Sequence, residues 1–190
     1  MRLVVPFTPG GGSDIVARAI GNKLGDVLRR QVVVDNRPGG GITIGSDLVA
    51  KSAPDGNTVL IVTIAHAVNP SLHKTLPYDT EKDFSPISLV TTAQRSRFFP
   101  ELPTIAEAGP PGYELVSWQG ILAPGKTPRE IVNHLNAAIV TVLNMPDLKE
   151  YLAGRGYDAT GSTAERFAGF ISSEIQRWGK LVKSIGARVD

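Results

Sequence analysis

Short hydrophobic runs alternate with stripes of helical spacing in the amino-terminal part of the chain. Residues 3–7, 31–35 and 58–63 are apolar or β-branched runs bounded by turn residues, which predicts buried parallel strands. Between the first two runs, apolar residues recur on one helical face from Ile15 to Leu28. A shorter helix is expected to end near Lys51. The order strand, helix, strand, helix, strand predicts an α/β domain of three layers with a mainly parallel sheet.

The pattern changes after residue 66. A loosely ordered, proline-containing segment is expected there, and residues 84–92 and 116–123 are further strand candidates. The C-terminal half is otherwise mostly helical. Its last helix places one apolar stripe on Phe167, Phe170, Ile171, Ile175, Trp178, Leu181, Val182 and Ile185. Core packing explains large aromatic residues on such a stripe better than contacts with a cofactor does.

Composition excludes several classes of protein. The 190 residues are 42% hydrophobic and 20% charged, which suits one globular domain. The net charge is +2 and no basic cluster gathers it, so nucleic acid is a poor partner. There is no cysteine, and the three histidines lack the spacing of a zinc site. No stretch is long enough to span a membrane, and any export signal is expected to have been removed.

The segment 8–14, TPGGGSD, follows the first predicted strand and begins the first helix. Backbone N–H groups at such a helix start point outward at the positive end of the helix dipole, where they bind anions without the help of lysine. Ser13 is expected to cap the helix, and its hydroxyl is a further hydrogen-bond donor. The structural alternative is a tight turn in which Asp14 only complements the helix dipole.

The segment 63–66, TIAH, follows the third predicted strand. Carboxyl ends of parallel strands meet at one edge of a sheet, so we expect this loop to form a second wall of the same pocket. The alternative for His66 is a hydrogen bond within the short segment that follows it. No paired carboxylates, nucleophile elbow or Ser-His-Asp order indicates catalysis, so no catalytic residue is assigned.

A nucleotide-dependent enzyme is the alternative function of the glycine-rich turn. Gly10 and Gly12 begin a G-x-G pattern, and Asp35 ends the next strand where a ribose-binding acid would lie. The pattern then fails, because Ile15 occupies the position of the third glycine and no Gly-Lys-Ser/Thr follows. A second glycine-rich turn at residues 37–41 is most simply a helix entry.

Several motifs in a fixed order resemble the Bug (TctC-like) family, the extracytoplasmic solute-binding proteins of tripartite tricarboxylate transporters. They cover nearly the whole chain and lie at residues 3–14, 35–40, 53–58, 66–71, 76–79, 102–109, 112–118 and 122–128. The family fold is a two-lobed clamp that holds the ligand between its lobes. Its first lobe is built from both ends of the chain.

The resemblance implies that the second lobe is missing. Residues 85–90 match the family up to the point where its chain enters the second lobe, and residues 91–96 resemble the hinge strand that returns from it. We therefore expect residues 1–190 to form one domain, a lobe of the type II periplasmic binding protein kind, with a junction near Val90 and Thr91. Deliberate excision and natural deletion both explain such a junction.

The resemblance also implies a function. Family ligands are small carboxylates, including di- and tricarboxylic acids, acidic amino acids and aromatic acids. The resemblance implies a periplasmic location for this chain and a transient contact with the membrane permease of the transporter. No cofactor, metal or enzyme activity is expected. Carried over by motif, the expected ligand contacts are Thr8, Pro9, Gly10, Gly11, Gly12, Ser13, Asp14, Thr63, Ala65 and His66. Binding should be weak with one wall of the clamp absent. A permease-docking module that binds nothing small is the remaining alternative.

Overall fold

The computed structural model describes residues 1–92, 101, 108 and 117–189. In this part of the chain, the strands are β1 (Arg2–Val5), β2 (Val33–Asn36), β3 (Thr58–Thr63), β4 (Phe84–Thr92), β5 (Trp118–Pro124) and β6 (Asp158–Ala159). The α-helices are α1 (Gly12–Leu28), α2 (Thr43–Ala50), α3 (Ile64–Leu72), α4 (Arg129–Leu143), α5 (Pro146–Ala153) and α6 (Ala164–Ile185). A short 3-10 turn, Gly40–Ile42, leads into α2.

The described strands form one sheet in the order β2-β1-β3-β5-β4-β6. β1 pairs in parallel with both β2 and β3, whereas β5 lies antiparallel between β3 and β4, and β6 is antiparallel to β4. Strands β1 to β4 therefore all point in one direction, whereas β5 and β6 run opposite to them. The pairing is mixed because β5 inserts with the opposite direction.

Helices cover both faces of the sheet, which confirms the three-layer prediction. Side chains of successive strand residues point to opposite faces. Leu3 and Val5 of β1 pack into a core with α1 and α4, whereas Val4 packs into a second core with α2, α3 and α6. Each fully buried aliphatic side chain contributes about 1.5–3 kcal/mol, so the two cores fix α1 on one face and α6 on the other.

Two local predictions are wrong. β2 is parallel but lies at the edge of the sheet, and Val33 is 50% exposed where a buried strand was expected. The prediction of a loose segment after residue 66 is wrong for the residues up to Leu72, which belong to α3 with Pro70 inside it, whereas residues 73–83 form neither a helix nor a strand of the sheet. No helix among the described residues has the length and apolarity needed to cross a membrane.

Candidate functional site

The start of α1 lies at the carboxyl end of β1. Gly11 is the N-cap residue in an extended conformation, and no side chain caps the helix. The prediction that Ser13 caps α1 is wrong, because Ser13 is already inside the first turn. The reason is Gly10, whose φ of 82° turns the chain in the left-handed region that glycine adopts without strain, so the helix begins earlier than expected.

The turn presents free backbone amides. The first helical hydrogen bond joins the Ile15 amide to the Gly11 carbonyl at 3.0 Å. Within the part of the chain that the structure describes, no hydrogen bond is recorded for the N–H groups of residues 11–14 or for the Ser13 hydroxyl. These donors lie at the positive end of the α1 dipole. Thr8 and Pro9, which precede them, are exposed.

Asp14 holds the turn in this conformation. Its carboxylate accepts hydrogen bonds from the Gly10 amide at 2.9 Å, the Arg18 guanidinium at 2.9 Å and the Asn36 side-chain amide at 3.0 Å. The Asn36 amide also donates to the Phe7 carbonyl at 3.1 Å, which ties the end of β2 to the end of β1. The hydrogen bond from Arg18 lowers the pKa of Asp14 to about 2, the Gly10 and Asn36 amides act in the same direction, and burial opposes them.

The network decides which turn residues can reach a ligand. Asp14 is only 3% exposed and its charge is balanced by the half-exposed Arg18, so its carboxylate orders the turn and does not face solvent. The Gly10 amide is used by Asp14. Of the donors that the sequence predicts for an anion, the amides of residues 11–14 and the Ser13 hydroxyl are those that Asp14 does not use.

The loop after β3 lies at the same edge of the sheet, because β3 runs parallel to β1 beside it. Thr63 and Ala65 are partly exposed, and the Thr63 hydroxyl accepts a long hydrogen bond of 3.4 Å from the Ala65 amide as the N-cap of α3. The expectation that the two loops share one edge therefore agrees with the fold.

His66 is placed elsewhere. It is 1% exposed and lines a cavity of about 160 Å³ with Thr80, Phe84 and residues of α6, and none of residues 8–14 lines that cavity. Its ring meets Phe84 edge to face at 5.1 Å. Burial lowers the pKa of His66 to about 4, against a small opposing effect of the Thr80 backbone. The structure thus separates His66 from the glycine-rich turn with which the sequence had grouped it.

Sequence reasoning missed Tyr157. Its hydroxyl lies against Gly12, where an added Cβ would collide with it. Tyr157 reaches this position because Gly156, with φ of 79°, ends the turn after α5 and the Tyr157 amide bonds the Leu152 carbonyl at 3.0 Å. A glycine after a helix is a recognisable end signal, but the sequence does not show which neighbour the next residue meets.

Arg18 and Asn36 were missed as well. The spacing of Asp14 and Arg18, four residues apart in a helix, is the pattern of an ion pair and could have been found. Asp35, the ribose-binding acid of the nucleotide hypothesis, forms ion pairs with Arg2 at 2.5 Å and Arg37 at 3.0 Å. That carboxylate already has two cationic partners at the end of β2.

A comparison with protein families identifies the kind of protein that carries this site. The model of the tripartite tricarboxylate transporter family receptor, TctC, matches residues 16–94 and 89–187. The chain belongs to this receptor family. The family is described as the receptor of a tripartite tricarboxylate transporter, and two solved neighbours are described as the periplasmic binding protein BugD and a TctC solute-binding protein from Polaromonas.

Individual receptor relatives agree with the family match. A UPF0065 protein encoded in the tcbD-tcbE intergenic region of Pseudomonas sp. strain P51 is 29% identical over 282 residues, which span 94% of this chain and 84% of the relative. The periplasmic binding protein BugD superposes with a TM-score of 0.92 at 21% identity, covering 99% of this chain and 98% of that chain. This likeness shows that the receptor has the α/β fold of periplasmic binding proteins.

Two similar receptor structures contain ligands. A Rhodopseudomonas palustris protein solved with adipate has a TM-score of 0.86 at 25% identity and covers 99% of this chain and 98% of that chain. MatC from the same organism, solved with malate, has a TM-score of 0.88 at 22% identity and covers 95% of this chain and 98% of that chain. Both ligands are dicarboxylates.

Proposed function

We propose that this chain is the first lobe of a periplasmic receptor and that it binds one carboxylate group of a small dicarboxylate. The observation that carries the proposal is the start of α1, where the amides of residues 11–14 and the Ser13 hydroxyl have no recorded partner among the described residues. A carboxylate there accepts several charge-assisted hydrogen bonds at the positive end of a helix. Asp14 does not repel it strongly, because Arg18 balances its charge.

The site and the related structures support dicarboxylates as the ligand class. A helix N-terminus favours an anion, and the structures with adipate and malate supply dicarboxylates as the class to test. Thr63 and Ala65 stand at the same edge of the sheet and provide the second wall.

The single-lobe proposal is supported by the way the chain aligns with its family. The family model matches in two segments that meet at residues 89–94, close to the expected junction at Val90 and Thr91. The alignment with the Pseudomonas relative spans 282 positions, more than a chain of 190 residues can fill, so a long stretch of the relative has no counterpart here. One lobe makes fewer contacts and does not close over the ligand, so we expect a dissociation constant in the millimolar range, on the order of −4 kcal/mol.

Location and partner follow from the same membership. A receptor of this family delivers its ligand to the membrane permease of the transporter, so we infer a periplasmic location and a transient contact with that permease. BugD, which shares the fold, is a periplasmic binding protein.

A thermal-shift screen tests the proposal. The wild-type chain is heated with millimolar succinate, malate or adipate, and separately with NAD or ATP, because mass action lets even weak binding raise the melting temperature. We expect a rise with the dicarboxylates that is lost in Ser13→Ala and retained in Ser184→Ala, a matched exposed serine of α6. Stabilisation by NAD or ATP alone would favour the enzyme hypothesis. If none of these compounds raises the melting temperature, the proposal is contradicted, and the permease-docking module remains as the alternative.

A further inference from the structure

Three polar side chains form a row across neighbouring strands at the carboxyl end of β3. Thr63 of β3 pairs with Gln119 of β5, and Gln119 pairs with Thr91 of β4. Directly paired residues on adjacent strands point to the same face of the sheet. The side chains of the row are therefore neighbours on one face.

That face is the one that α1 covers. Along β5, Ile121 and Ala123 belong to the core that α1 shares, whereas Trp118 and Leu122 belong to the opposite core. Alternation along the strand places Gln119 with Ile121 on the α1 side. Thr91 pairs on its other side with Ala159, which also packs against the α1 core.

The row and the free amides of α1 thus lie at one edge and on one face of the sheet. β1, which leads into the glycine-rich turn, is the next strand after β3. Tyr157, which lies against Gly12, also packs on this core and immediately precedes β6, which pairs with β4. The amides, the Tyr157 hydroxyl and the polar row therefore lie on the face of the sheet that α1 covers, at the edge where α1 begins.

Two members of the row are buried without partners. Gln119 is 4% exposed and Thr91 is 1% exposed. Gln119 Oε1 and Thr91 Oγ1 have no hydrogen-bond partner among the described residues. Nearly all buried polar atoms in proteins are hydrogen-bonded, so an unpaired pair on adjacent strands beside an anion-binding helix start calls for a functional explanation.

We propose that Gln119 and Thr91 form a subsite for a hydroxyl or amino group that the ligand carries next to its carboxylate. This inference rests on the proposed carboxylate site at α1. A carbonyl oxygen such as Gln119 Oε1 only accepts hydrogen bonds, so its partner on the ligand has to be a donor, and an ionised carboxylate offers none. Thr91 has a hydroxyl that accepts or donates and completes the contact. The substrate class is therefore a hydroxy- or amino-substituted dicarboxylate, in preference to an unsubstituted one.

Succinate, malate and aspartate are the probes, because they share a four-carbon backbone and two carboxylates and differ in one substituent. Their dissociation constants are measured by calorimetric titration at millimolar concentrations. We expect malate and aspartate to bind wild type about tenfold more tightly than succinate, since an analogue that lacks the donor leaves buried acceptors unpaired. In Gln119→Leu the ratio of succinate to malate dissociation constants falls to about one, and Thr91→Val lowers the ratio in the same direction.

Matched controls separate the subsite from general damage. Gln176→Leu and Thr141→Val change exposed residues on α6 and α4 and should keep the wild-type ratio. Melting temperatures report folding, and Thr91→Val, which replaces a hydroxyl by a methyl group of similar size, covers the case in which Gln119→Leu does not fold. Equal affinities of wild type for all three probes, or equal weakening of all three by Gln119→Leu, would overturn the subsite alone. No binding of any probe would overturn the carboxylate site and the subsite with it.

Discussion

The side-chain amide of Asn36, the last residue of β2, donates a hydrogen bond of 3.0 Å to the carboxylate of Asp14 in the first turn of α1. The same carboxylate accepts from Gly10 and Arg18. One buried acid therefore joins two strand ends and the start of a helix, and it keeps its charge away from the amides that face the proposed ligand.

Loss of this acid should destabilise the turn. Asp14→Ala removes three hydrogen bonds and takes the acceptor from the Gly10 amide, while the Asn36 amide keeps only its bond to the Phe7 carbonyl, so we expect the free energy of unfolding to fall by about 1–3 kcal/mol in chemical denaturation. Asp147→Ala is the control, since it breaks an exposed ion pair with Lys23 and one hydrogen bond from the Leu148 amide, and it should cost less than about 1 kcal/mol. Equal losses in the two variants would show that the Asp14 network does not hold the turn.

His66 should make stability depend on pH. Unfolded His66 takes up a proton near pH 6.5, whereas in the folded protein burial delays protonation to about pH 4. Between these values the unfolded state binds more protons, so the free energy of unfolding falls as the pH falls, by at most about 1.4 kcal/mol per pH unit. The full contribution is present above pH 6.5.

Two histidine variants test whether His66 causes this pH dependence of stability. Denaturation of His66→Leu across the same pH range should lack the decline attributed to His66, while replacement of the exposed His134 by Gln should retain it. A decline of the same size in His66→Leu and in wild type would mean that another group is responsible.

Tyr157 should contribute to carboxylate binding through its hydroxyl. Tyr157→Phe keeps the packing of the ring, so stability should change by less than about 0.5 kcal/mol, while the affinity for succinate falls about three- to tenfold. Gly12→Ala places a Cβ where the hydroxyl lies and should displace it with a similar loss.

A double-mutant cycle on these two positions is the sharper test. If both changes act on the same hydroxyl, Gly12→Ala adds little further loss in the Tyr157→Phe background. Tyr151→Phe, an exposed tyrosine on α5, serves as the control. If the losses of succinate affinity are fully additive, Gly12→Ala does not act through the Tyr157 hydroxyl.

Glu174 should fix the start of β5 and thereby the position of Gln119. Its carboxylate accepts hydrogen bonds from the indole N–H groups of Trp118 at 3.0 Å and Trp178 at 3.1 Å. Glu174→Leu leaves both donors unpaired and should cost about 1–3 kcal/mol, whereas Glu174→Gln keeps an acceptor and should cost less. Chemical denaturation gives the cost, and fluorescence of the two tryptophans follows their environment. If Glu174→Leu and Glu174→Gln lower the free energy of unfolding equally, the loss of the indole hydrogen bonds is not the cause of the destabilisation.

The sequence was informative where one local pattern decides the structure. Apolar runs located β1 and β3, and Phe167, Ile171 and Val182 of the stripe on α6 are buried. The pattern was less informative where contacts with other elements decide burial. Leu181 and Ile185 of the same stripe are exposed.

The site shows the same division. The local sequence predicts the glycine-rich start of α1, because the strand, the glycines and the helix follow one another directly along the chain. Tyr157 and Gln119 are far from it in sequence and reach it only through α5 and the antiparallel β5. Apart from residue 108, the family motif at residues 102–109 lies outside the described residues.

The most direct test of the central claim is an amide NMR titration of the wild-type chain with malate. The account predicts that the largest backbone shift changes fall on Gly11, Gly12, Ser13 and Asp14, and that Ser13→Ala reduces them. Changes centred on the cavity around His66, with the amides of α1 unmoved, would contradict it.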